Sequence, residues 1–199
     1  MKQNSKLALF DFDGTLTNRD SFIDFLRFAV GKKRFLLGAI ALSPVLILYA
    51  LRILSSERTK LIVLRHFFLK TPYVKLQEIG TNYALNRIDQ ILRKEAIETV
   101  DKHLANGDCV FIVSASPSLW LKAWCDRKNI GLIATELAID NLGWSGCFAT
   151  KNCYGIEKVS RIKKQLDLGE FDTIYAYGDS AGDLPMLSLS SHAYFKPFR

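Results

Sequence analysis

Residues 7–17 read LALFDFDGTLT and decide the fold, because an apolar run leads directly into two carboxylates. Residues 7–10 contain no polar side chain in alternation, a pattern typical of a strand covered on both faces within a parallel sheet. Gly14 then favours a turn, which ends the strand. The stretch therefore predicts a buried strand that delivers Asp11 and Asp13 to its carboxyl end.

The spacing of Asp11 and Asp13 indicates chemistry at that end. Side chains two positions apart point to the same side of an extended chain. Two like charges held close together stay ionised beside a cation; otherwise one of them holds a proton. Either arrangement makes an active site. The alternative is a plain turn, since Asp and Gly are common turn residues, and the pair alone does not decide between the two.

Composition limits the classes of protein and partner. The chain has 199 residues, 49% of them hydrophobic and 24% charged, which suits a folded domain with a sizeable core and excludes a disordered chain. The net charge of +7 favours anionic partners. Lys and Arg are scattered rather than clustered with aromatic residues, so we expect no nucleic-acid binding. The four cysteines lack metal-binding spacing and are expected to be free thiols. The first strand follows Met1 too closely for a signal peptide, which predicts a cytoplasmic protein.

The segment after the first motif is predicted to be helical. Apolar residues at helical spacing begin at Phe22, and the helix is expected to end near Gly31. Residues 35–51 carry no charge and contain Pro44. A buried helical hairpin is the preferred interpretation; peripheral contact with a membrane surface is the main alternative, and a true span is disfavoured because spans usually need about 20 residues. Two more helices are expected at 57–68 and 74–85.

The rest of the chain alternates helices and strands, which predicts a parallel sheet with helices on both faces. The expected strands are 109–113, 130–134, 173–177 and 193–195; the expected helices are 91–105, 119–128 and 157–166; and 136–149 is expected to form a β-hairpin around the turn 141–143. Ligands in such sheets bind beyond the carboxyl ends of the strands. Three predicted strands end in polar residues there: Asp11 with Asp13, Ser114, and Asp179 with Asp183.

Four carboxylates at one sheet edge need a compensating cation. Mg²⁺ suits oxygen ligands and commonly bridges carboxylates and a phosphate. An aspartate can carry a phosphoryl group covalently. Ser114 with its following backbone N–H groups, and Lys158 at a helix start, are positioned in the sequence to bind phosphate oxygens. A lysine at such a place is more often simply solvated, so Lys158 depends on the other residues for its interpretation.

Four stretches in this order resemble the motifs of the haloacid dehalogenase-like (HAD) hydrolases, in the phosphoserine-phosphatase-like branch (subfamily IB): DFDGTLT from Asp11, FIVSASP from Phe111, GIEKV from Gly155 and YGDSAGDLPML from Tyr177. The resemblance covers nearly the whole chain. It implies an α/β fold, with a HAD-like Rossmannoid three-layer core around a parallel sheet and a small β-hairpin. It further implies that residues 1–17 and 88–199 form this core and that residues 18–87 form an inserted all-helical cap of the C1 type.

The same resemblance implies roles for individual residues. Asp11 would be the nucleophile, and Asp13 the general acid and base. The phosphate-binding residues would be Ser114, Ala115 and Lys158. The Mg²⁺ ligands would be Asp11, Asp13 through its carbonyl, and Asp179. Asp183 would support a metal-bound water or Lys158. Asp20 and Arg58 are the candidates for substrate selection, with Lys60 and Arg65 as other cations of the helical segment.

The sequence thus predicts a Mg²⁺-dependent phosphomonoester phosphatase that works through an aspartyl-phosphate intermediate on a small, phosphoserine-like phosphate ester. The apolar, proline-containing segment is also similar to that of HAD-type phosphatases of phosphatidylglycerophosphate. A lipid-headgroup phosphatase at the inner membrane surface, with peripheral contact through residues 35–51, is therefore the alternative. A non-catalytic binding module on the same scaffold is the alternative from another class.

Overall fold

A parallel sheet forms the centre of the molecule. The computed structural model describes residues 5–69, 71–141 and 143–199, and within them the strands are β1 (Lys6–Phe10), β2 (Cys109–Pro117), β3 (Gly131–Thr135), β4 (Leu137–Asp140), β5 (Gly143–Phe148), β6 (Thr173–Gly178) and β7 (His192–Phe195). The described sheet has the order β3-β2-β1-β6-β7, with every neighbouring pair parallel. Strands β4 and β5 form a separate antiparallel hairpin.

Strand β1 is the most enclosed part of this sheet. It pairs with β2 on one side and β6 on the other, and residues 7–10 have no exposed surface. Leu7 and Leu9 pack into the core on one face, whereas Ala8 and Phe10 pack into the core on the opposite face. Because both faces are covered, the strand has no polar alternation. The prediction of a buried strand on both faces is confirmed.

Helices cover both faces of the sheet. In the described residues they are α1 (Ser21–Ala41), α2 (Ser43–Ala50), α3 (Ser56–Phe68), α4 (Tyr73–Asn86), α5 (Lys94–Ala105), α6 (Lys122–Lys128), α7 (Ile156–Gln165) and the single turn α8 (Leu184–Leu187). Ala96 and Val100 of α5 join the core that contains Phe10, and Ile162 of α7 joins the core that contains Leu9. The expected α/β fold with a parallel sheet, helices on both faces and a β-hairpin is confirmed.

Helix α1 differs from the sequence-based prediction. It continues to Ala41 rather than ending near Gly31, although Gly31 kinks it with φ 77° and ψ 157°. A residue with a Cβ rarely adopts positive φ, so glycine permits the kink and lets helical structure resume beyond it. The predicted end thus marks an interruption of the helix.

The prediction of a buried hairpin for residues 35–51 is wrong. Two helices do meet near Pro44, where α1 and α2 are bent by 66°, but only the inner face of this segment packs, through Leu42 and partly buried neighbours. Leu37 remains 68% exposed and Leu51 64% exposed. Among the described helices, none alone has the length and apolarity that a membrane span requires; α1 and α2 together meet those two criteria as a bent pair.

Several element bounds also shift. Strand β2 runs past Ser114 to Pro117, because Ser114 and Pro117 pair with β3 across an irregularity in register. Helix α5 begins at Lys94 instead of Ile91, and the predicted helix 119–128 divides into a 3-10 turn at Ser118–Trp120 and α6. Leu142 of the predicted hairpin turn, and residues 1–4 of the predicted core, lie outside the described residues.

Candidate active site

The carboxyl ends of β1, β2 and β6 meet at one edge of the sheet, and Lys158 joins them. Its Nζ donates to Asp11 Oδ1 at 2.6 Å, Asp183 Oδ1 at 2.7 Å and the Val113 carbonyl at 2.7 Å. These acceptors follow or belong to three different strands, so a single ammonium group links all three strand ends. Lys158 is 1% exposed, so it is not one of the solvated lysines that are common at such a place in a helix.

Two counteracting effects act on the Lys158 ammonium. Burial alone would lower its pKa, but the adjacent charges of Asp11 and Asp183 outweigh burial and raise the pKa. A buried charge is tolerated when it is paired and its hydrogen bonds are satisfied. Lys158 reaches this position from the first turn of α7, which begins after Gly155 at φ 62°. It therefore stays charged.

Burial also acts strongly on Asp11. Loss of solvent raises its pKa to about 7, even though Lys158 acts to lower it; Asp183 adds to the rise. Its Oδ2 accepts a hydrogen bond from Thr15 Oγ1 at 3.0 Å. At neutral pH a carboxyl group with this pKa is divided between its protonated and ionised forms. A further cation beside Asp11 would favour the ionised form.

Three carboxylates offer oxygens to such a cation. Oxygen atoms of Asp11, Asp179 and Asp183 lie within 4.8 Å of one another, and Thr15 Oγ1 contacts both Asp11 and Asp179, at 3.0 and 3.3 Å. An all-oxygen, partly buried group of this kind fits Mg²⁺ better than metals that prefer nitrogen or sulfur. The residues present therefore fit the predicted metal ion.

Asp183 differs from the other two carboxylates because protein donors already surround it. One oxygen accepts from Lys158, and the other accepts from the backbone N–H of Asp179 at 3.2 Å and from Ser180 N and Oγ at 2.9 and 2.7 Å. Burial acts to raise the pKa of Asp183, but Lys158 and Ser180 outweigh it and the pKa is lowered. This saturation suits a residue that holds the Asp179 backbone and Lys158 in position.

Asp13 lies apart from the acidic group because the chain turns after β1. Residues Phe12–Leu16 form a π-type turn in which Gly14 has φ 86°. Asp13 Oδ1 accepts from the Ser21 backbone N–H and Oδ2 from Ser116 Oγ, both at 2.6 Å. Burial raises the pKa of Asp13, and the charge of Asp20 adds to the rise. A carboxyl group with a raised pKa is suited to donating a proton.

The end of β2 supplies the remaining predicted residues. Ser114 is 1% exposed, and its Oγ accepts from the Ser116 N–H at 3.0 Å. The Ala115 carbonyl accepts from Thr135 Oγ1 at 3.1 Å and from Lys60 Nζ at 3.1 Å. The irregular register after Ser114 thus makes a bulge in β2 next to Asp13.

Lys60 is the cation that the helical segment brings to this bulge. It belongs to α3, and burial lowers its pKa while the charges of Asp13 and Asp20 oppose that change. The two candidates chosen from sequence lie differently: Arg58 is exposed, and Asp20 is exposed and caps α1 by accepting from Ile23 N–H at 3.1 Å. Arg58 and Lys60 lie two positions apart on α3, so their side chains point to different faces of the helix. Sequence spacing does not show which face is turned toward the site, and it therefore could not distinguish Arg58 from Lys60.

Arg199 lies at the candidate active site although no sequence pattern indicates it. Its guanidinium contacts Asp179 Oδ2. The chain after β7 is held there by the Lys196 N–H, which donates to the Gly178 carbonyl at 2.8 Å, and by the Phe198 ring, which stacks on Tyr177. The last side chain therefore lies against one carboxylate of the acidic group. No motif precedes it that could have indicated this position.

Comparison with known proteins identifies the family of this chain. Residues 8–188 match the model of the haloacid dehalogenase-like hydrolases, and the chain belongs to that family. It is 31% identical to Protein CicA of Caulobacter vibrioides over 97% of this chain and 86% of that protein. A crystal structure of a protein of unknown function from Bordetella pertussis Tohama I is similar with a TM-score of 0.81 and 25% identity, covering 95% of this chain and 88% of that one.

A phosphoserine phosphatase, solved as an analogue of its phospho-aspartyl intermediate, shares the fold at a TM-score of 0.62 and 18% identity, covering 94% of this chain and 84% of that one. The expected α/β fold is confirmed by these similarities. The candidate active site of this family member lies at the carboxyl edge of its sheet.

Proposed function

We propose that this protein is a Mg²⁺-dependent phosphomonoester phosphatase that works through an aspartyl-phosphate intermediate. The observation that carries the proposal is Asp11, a buried carboxylate oriented by Lys158 and Thr15 beside a group of oxygen ligands. The family supports hydrolysis, and the acidic group supports a phosphate substrate with Mg²⁺, because the metal offsets the repulsion between carboxylates and phosphate.

Asp11 and Asp13 divide the chemistry in this proposal. An Asp11 oxygen forms a bond to phosphorus as the ester P–O bond breaks, and the leaving oxygen takes a proton from Asp13. Asp13 then accepts a proton from water as that water attacks phosphorus, which releases phosphate and restores Asp11. The raised pKa of Asp13 supports the first of these proton transfers.

The other residues bind and orient. Lys158 fixes Asp11 and supplies positive charge to the phosphoryl group, together with the Ser114 hydroxyl and the backbone around Ala115. Asp11, Asp179 and the Asp13 carbonyl would hold Mg²⁺, and Asp183 would keep Lys158 and the Asp179 backbone in position. When bound, Mg²⁺ would neutralise charge on the phosphate and on Asp11.

Residues 18–87 act as a cap over a core formed by residues 1–17 and 88–199. Two observations support this division. The chain leaves and re-enters the core at one place, where Asn18 N–H donates to the Ile91 carbonyl at 2.9 Å and Arg93 N–H to the Leu16 carbonyl at 2.8 Å. Lys60 also extends from this helical segment to the Ala115 carbonyl. A cap of this kind excludes water while the phosphoryl group is transferred.

The substrate is a small phosphate ester of the phosphoserine type. Lys60 and Asp20 are the residues of the helical segment that select it, because Lys60 donates to the Ala115 carbonyl and the charge of Asp20 acts on Asp13. Arg58 is exposed on a different face of α3 and stays a candidate from sequence alone. One observation favours a second candidate, an ester on a lipid headgroup: the exposed apolar side chains of α1 and α2. Hydrolysis rates for phosphoserine, sugar phosphates and phosphatidylglycerophosphate, measured in parallel, distinguish the two. The expectation of a cytoplasmic protein at the inner membrane surface stays a prediction.

Substitution of the nucleophile tests the proposed function. Asp11→Asn should abolish hydrolysis of an aryl phosphate, whereas Asp126→Asn, a change of the same type on the exposed face of α6, should leave the rate unchanged. Removal of Mg²⁺ with EDTA should also abolish activity, and added Mg²⁺ should restore it. Full activity in Asp11→Asn would contradict the mechanism, and an inactive wild-type protein on every ester would favour the non-catalytic binding module.

A further inference from the structure

Residues 32–53 form an exposed apolar surface, which is unusual in a folded domain. We call residues 32–53 the apolar platform; its exposed large hydrophobic side chains are Leu36, Leu37, Ile40, Leu46, Ile47, Leu48, Tyr49, Leu51 and Ile53. Single exposed apolar residues are common on proteins, but contiguous sets of this size mark surfaces that contact something else. The platform therefore needs an occupant.

Charge identifies the kind of occupant. Residues 25–56 contain no Asp or Glu, and their charged residues are Arg27, Lys32, Lys33, Arg34 and Arg52. Lys32, Lys33 and Arg52 are exposed at the two ends of the platform. An apolar surface with a purely basic border complements an interface that is anionic outside and apolar beneath, which describes a bilayer with acidic headgroups. A second copy of this chain would place basic residues against basic residues.

The lengths of the two platform helices determine how the platform can lie relative to a bilayer. Helix α2 has eight residues, about 12 Å at 1.5 Å per residue, and the part of α1 beyond Gly31 is of similar length. A hydrocarbon core is about 30 Å thick, so neither piece can cross it, and the 66° bend prevents them from acting as one straight rod. Two short helices joined at this angle present their apolar side chains in a shallow layer.

The platform is attached firmly to the rest of the helical segment. Gly38 packs against Phe67, where a Cβ would overlap the ring, and Arg34 donates to the Phe67 carbonyl at 3.3 Å. An apolar cavity of about 120 Å³ lies behind the platform between residues that include Phe22 and Leu42. The Phe22 ring also lies 5.9 Å from Lys60 Nζ, so the platform adjoins the residues that surround the candidate active site.

We propose that the apolar platform docks on the surface of an anionic lipid bilayer, with Leu36, Leu37, Ile40 and Ile47 inserted among the acyl chains and Lys32, Lys33 and Arg52 at the headgroups. This binding does not depend on the proposed chemistry. It would hold the candidate active site next to the lipid surface, at the end of α1 where Phe22 lies.

Flotation with lipid vesicles tests the proposal. Wild-type protein should float with vesicles that contain phosphatidylglycerol and phosphatidylcholine, and bind pure phosphatidylcholine vesicles much more weakly. Leu36→Ser with Leu37→Ser should weaken binding by more than about 100-fold, since both leucines lose the burial of their apolar surface among the acyl chains. The matched control, Val74→Ser with Ile139→Ser, removes exposed apolar side chains elsewhere and should float like wild type.

A second pair of variants tests the charge. Lys32→Gln with Lys33→Gln should weaken binding to the anionic vesicles by about 30-fold, at about 1 kcal/mol for each basic residue near the surface, whereas Lys163→Gln with Lys164→Gln on α7 should have no effect. All four variants should keep wild-type hydrolysis of a soluble aryl phosphate, and Asp11→Asn should float normally. Wild-type protein that stays with the soluble fraction, or a platform variant that floats like its control, would overturn the proposal. So would concentration-dependent dimerisation that depends on Leu36 and Leu37 without vesicle binding.

Discussion

The carboxyl edge of the sheet buries charged side chains, whereas the apolar platform exposes hydrophobic ones. At the sheet edge, Lys158 is 1% exposed and makes hydrogen bonds to three oxygen acceptors. On the platform, Leu37 is 68% exposed although it is apolar. Buried charges must be satisfied by the protein itself, so their geometry is fixed by the fold. Exposed apolar residues are satisfied only by something outside the chain, which is why one region indicates chemistry and the other indicates an interface.

The largest expected effect comes from removing the ammonium group at the sheet edge. Lys158→Met leaves Asp11 and Asp183 buried without their shared partner, and breaking such a pair typically costs about 3–5 kcal/mol. The free energy of unfolding, measured by urea titration, should fall by this amount, and hydrolysis should be lost. Lys163→Met, on the exposed face of the same helix, is the matched control and should change the free energy of unfolding little. Equal losses in the two variants would contradict the claim that the buried ammonium group stabilises the fold more than an exposed one.

Leucine substitutions in α1 and its kinked extension sharpen the comparison. Leu26→Ala, at a site 3% exposed, should lower the free energy of unfolding by about 2–5 kcal/mol through lost burial and a cavity. Leu37→Ala should change it by less than about 0.5 kcal/mol, because the side chain is already in water. Both values come from urea unfolding in the absence of lipid. A large loss in Leu37→Ala would show that the platform packs within the protein.

The first half of α1 provides a pH test. Asp24 is 7% exposed, and Arg87 donates to both its oxygens at 2.8 and 2.9 Å; burial acts to raise the pKa of Asp24, but Arg87 outweighs it and the pKa is lowered. A lowered pKa stabilises the fold above the ordinary carboxyl value of about 4, and the stabilisation is lost as pH falls through the folded-state value. Asp24→Asn should therefore cost about 1.5–3 kcal/mol at pH 7.

Unfolding midpoints measured across the acid range check this expectation. The difference between wild type and Asp24→Asn should stay constant from neutral pH down to about 5 and shrink below about 4. Asp126→Asn, whose carboxylate is 59% exposed, should show almost no difference at any pH. A gap for Asp24→Asn that widened in acid would contradict the assigned pairing.

The smallest expected effect concerns Arg199 at the edge of the acidic group. Its guanidinium occupies an oxygen of Asp179, so a metal ion must compete with it. Arg199→Ala should raise the affinity for Mg²⁺ by a few-fold, measured as the rise in melting temperature with Mg²⁺ concentration in the absence of substrate. Lys196→Ala, in the same terminal segment, serves as the control. Weaker Mg²⁺ binding in Arg199→Ala would mean that the guanidinium supports the site.

The sequence predicts the sheet edge better than the platform for a physical reason. Residues 7–10 and the carboxylates that follow are encoded locally, because an uninterrupted apolar run can be satisfied only between two other strands. The convergence of Asp11, Ser114 and Asp179 then follows from parallel topology. Helix formation and the break near Pro44 in the platform were also predicted from local signals.

Features that depend on distant contacts were not predicted. Whether an apolar helix is buried depends on what packs against it, and composition alone made a buried hairpin and a lipid-facing surface look alike for residues 35–51. Strand β2 extends past Ser114 because of its pairing with β3. Lys60 and Arg199 approach the site through the packing of α3 and through the path of the chain after β7, neither of which leaves a motif.

The most direct test of the central claim is to capture the phosphoryl group on Asp11. The protein is mixed with Mg²⁺ and an aryl phosphate, stopped in acid during turnover, digested and analysed by mass spectrometry. We expect that the peptide containing residues 7–17 gains the mass of one phosphoryl group, that fragmentation places it on Asp11, and that Asp11→Asn lacks it. Phosphate on another residue, or turnover with no phosphorylated peptide at any quench time, would contradict Asp11 as the nucleophile.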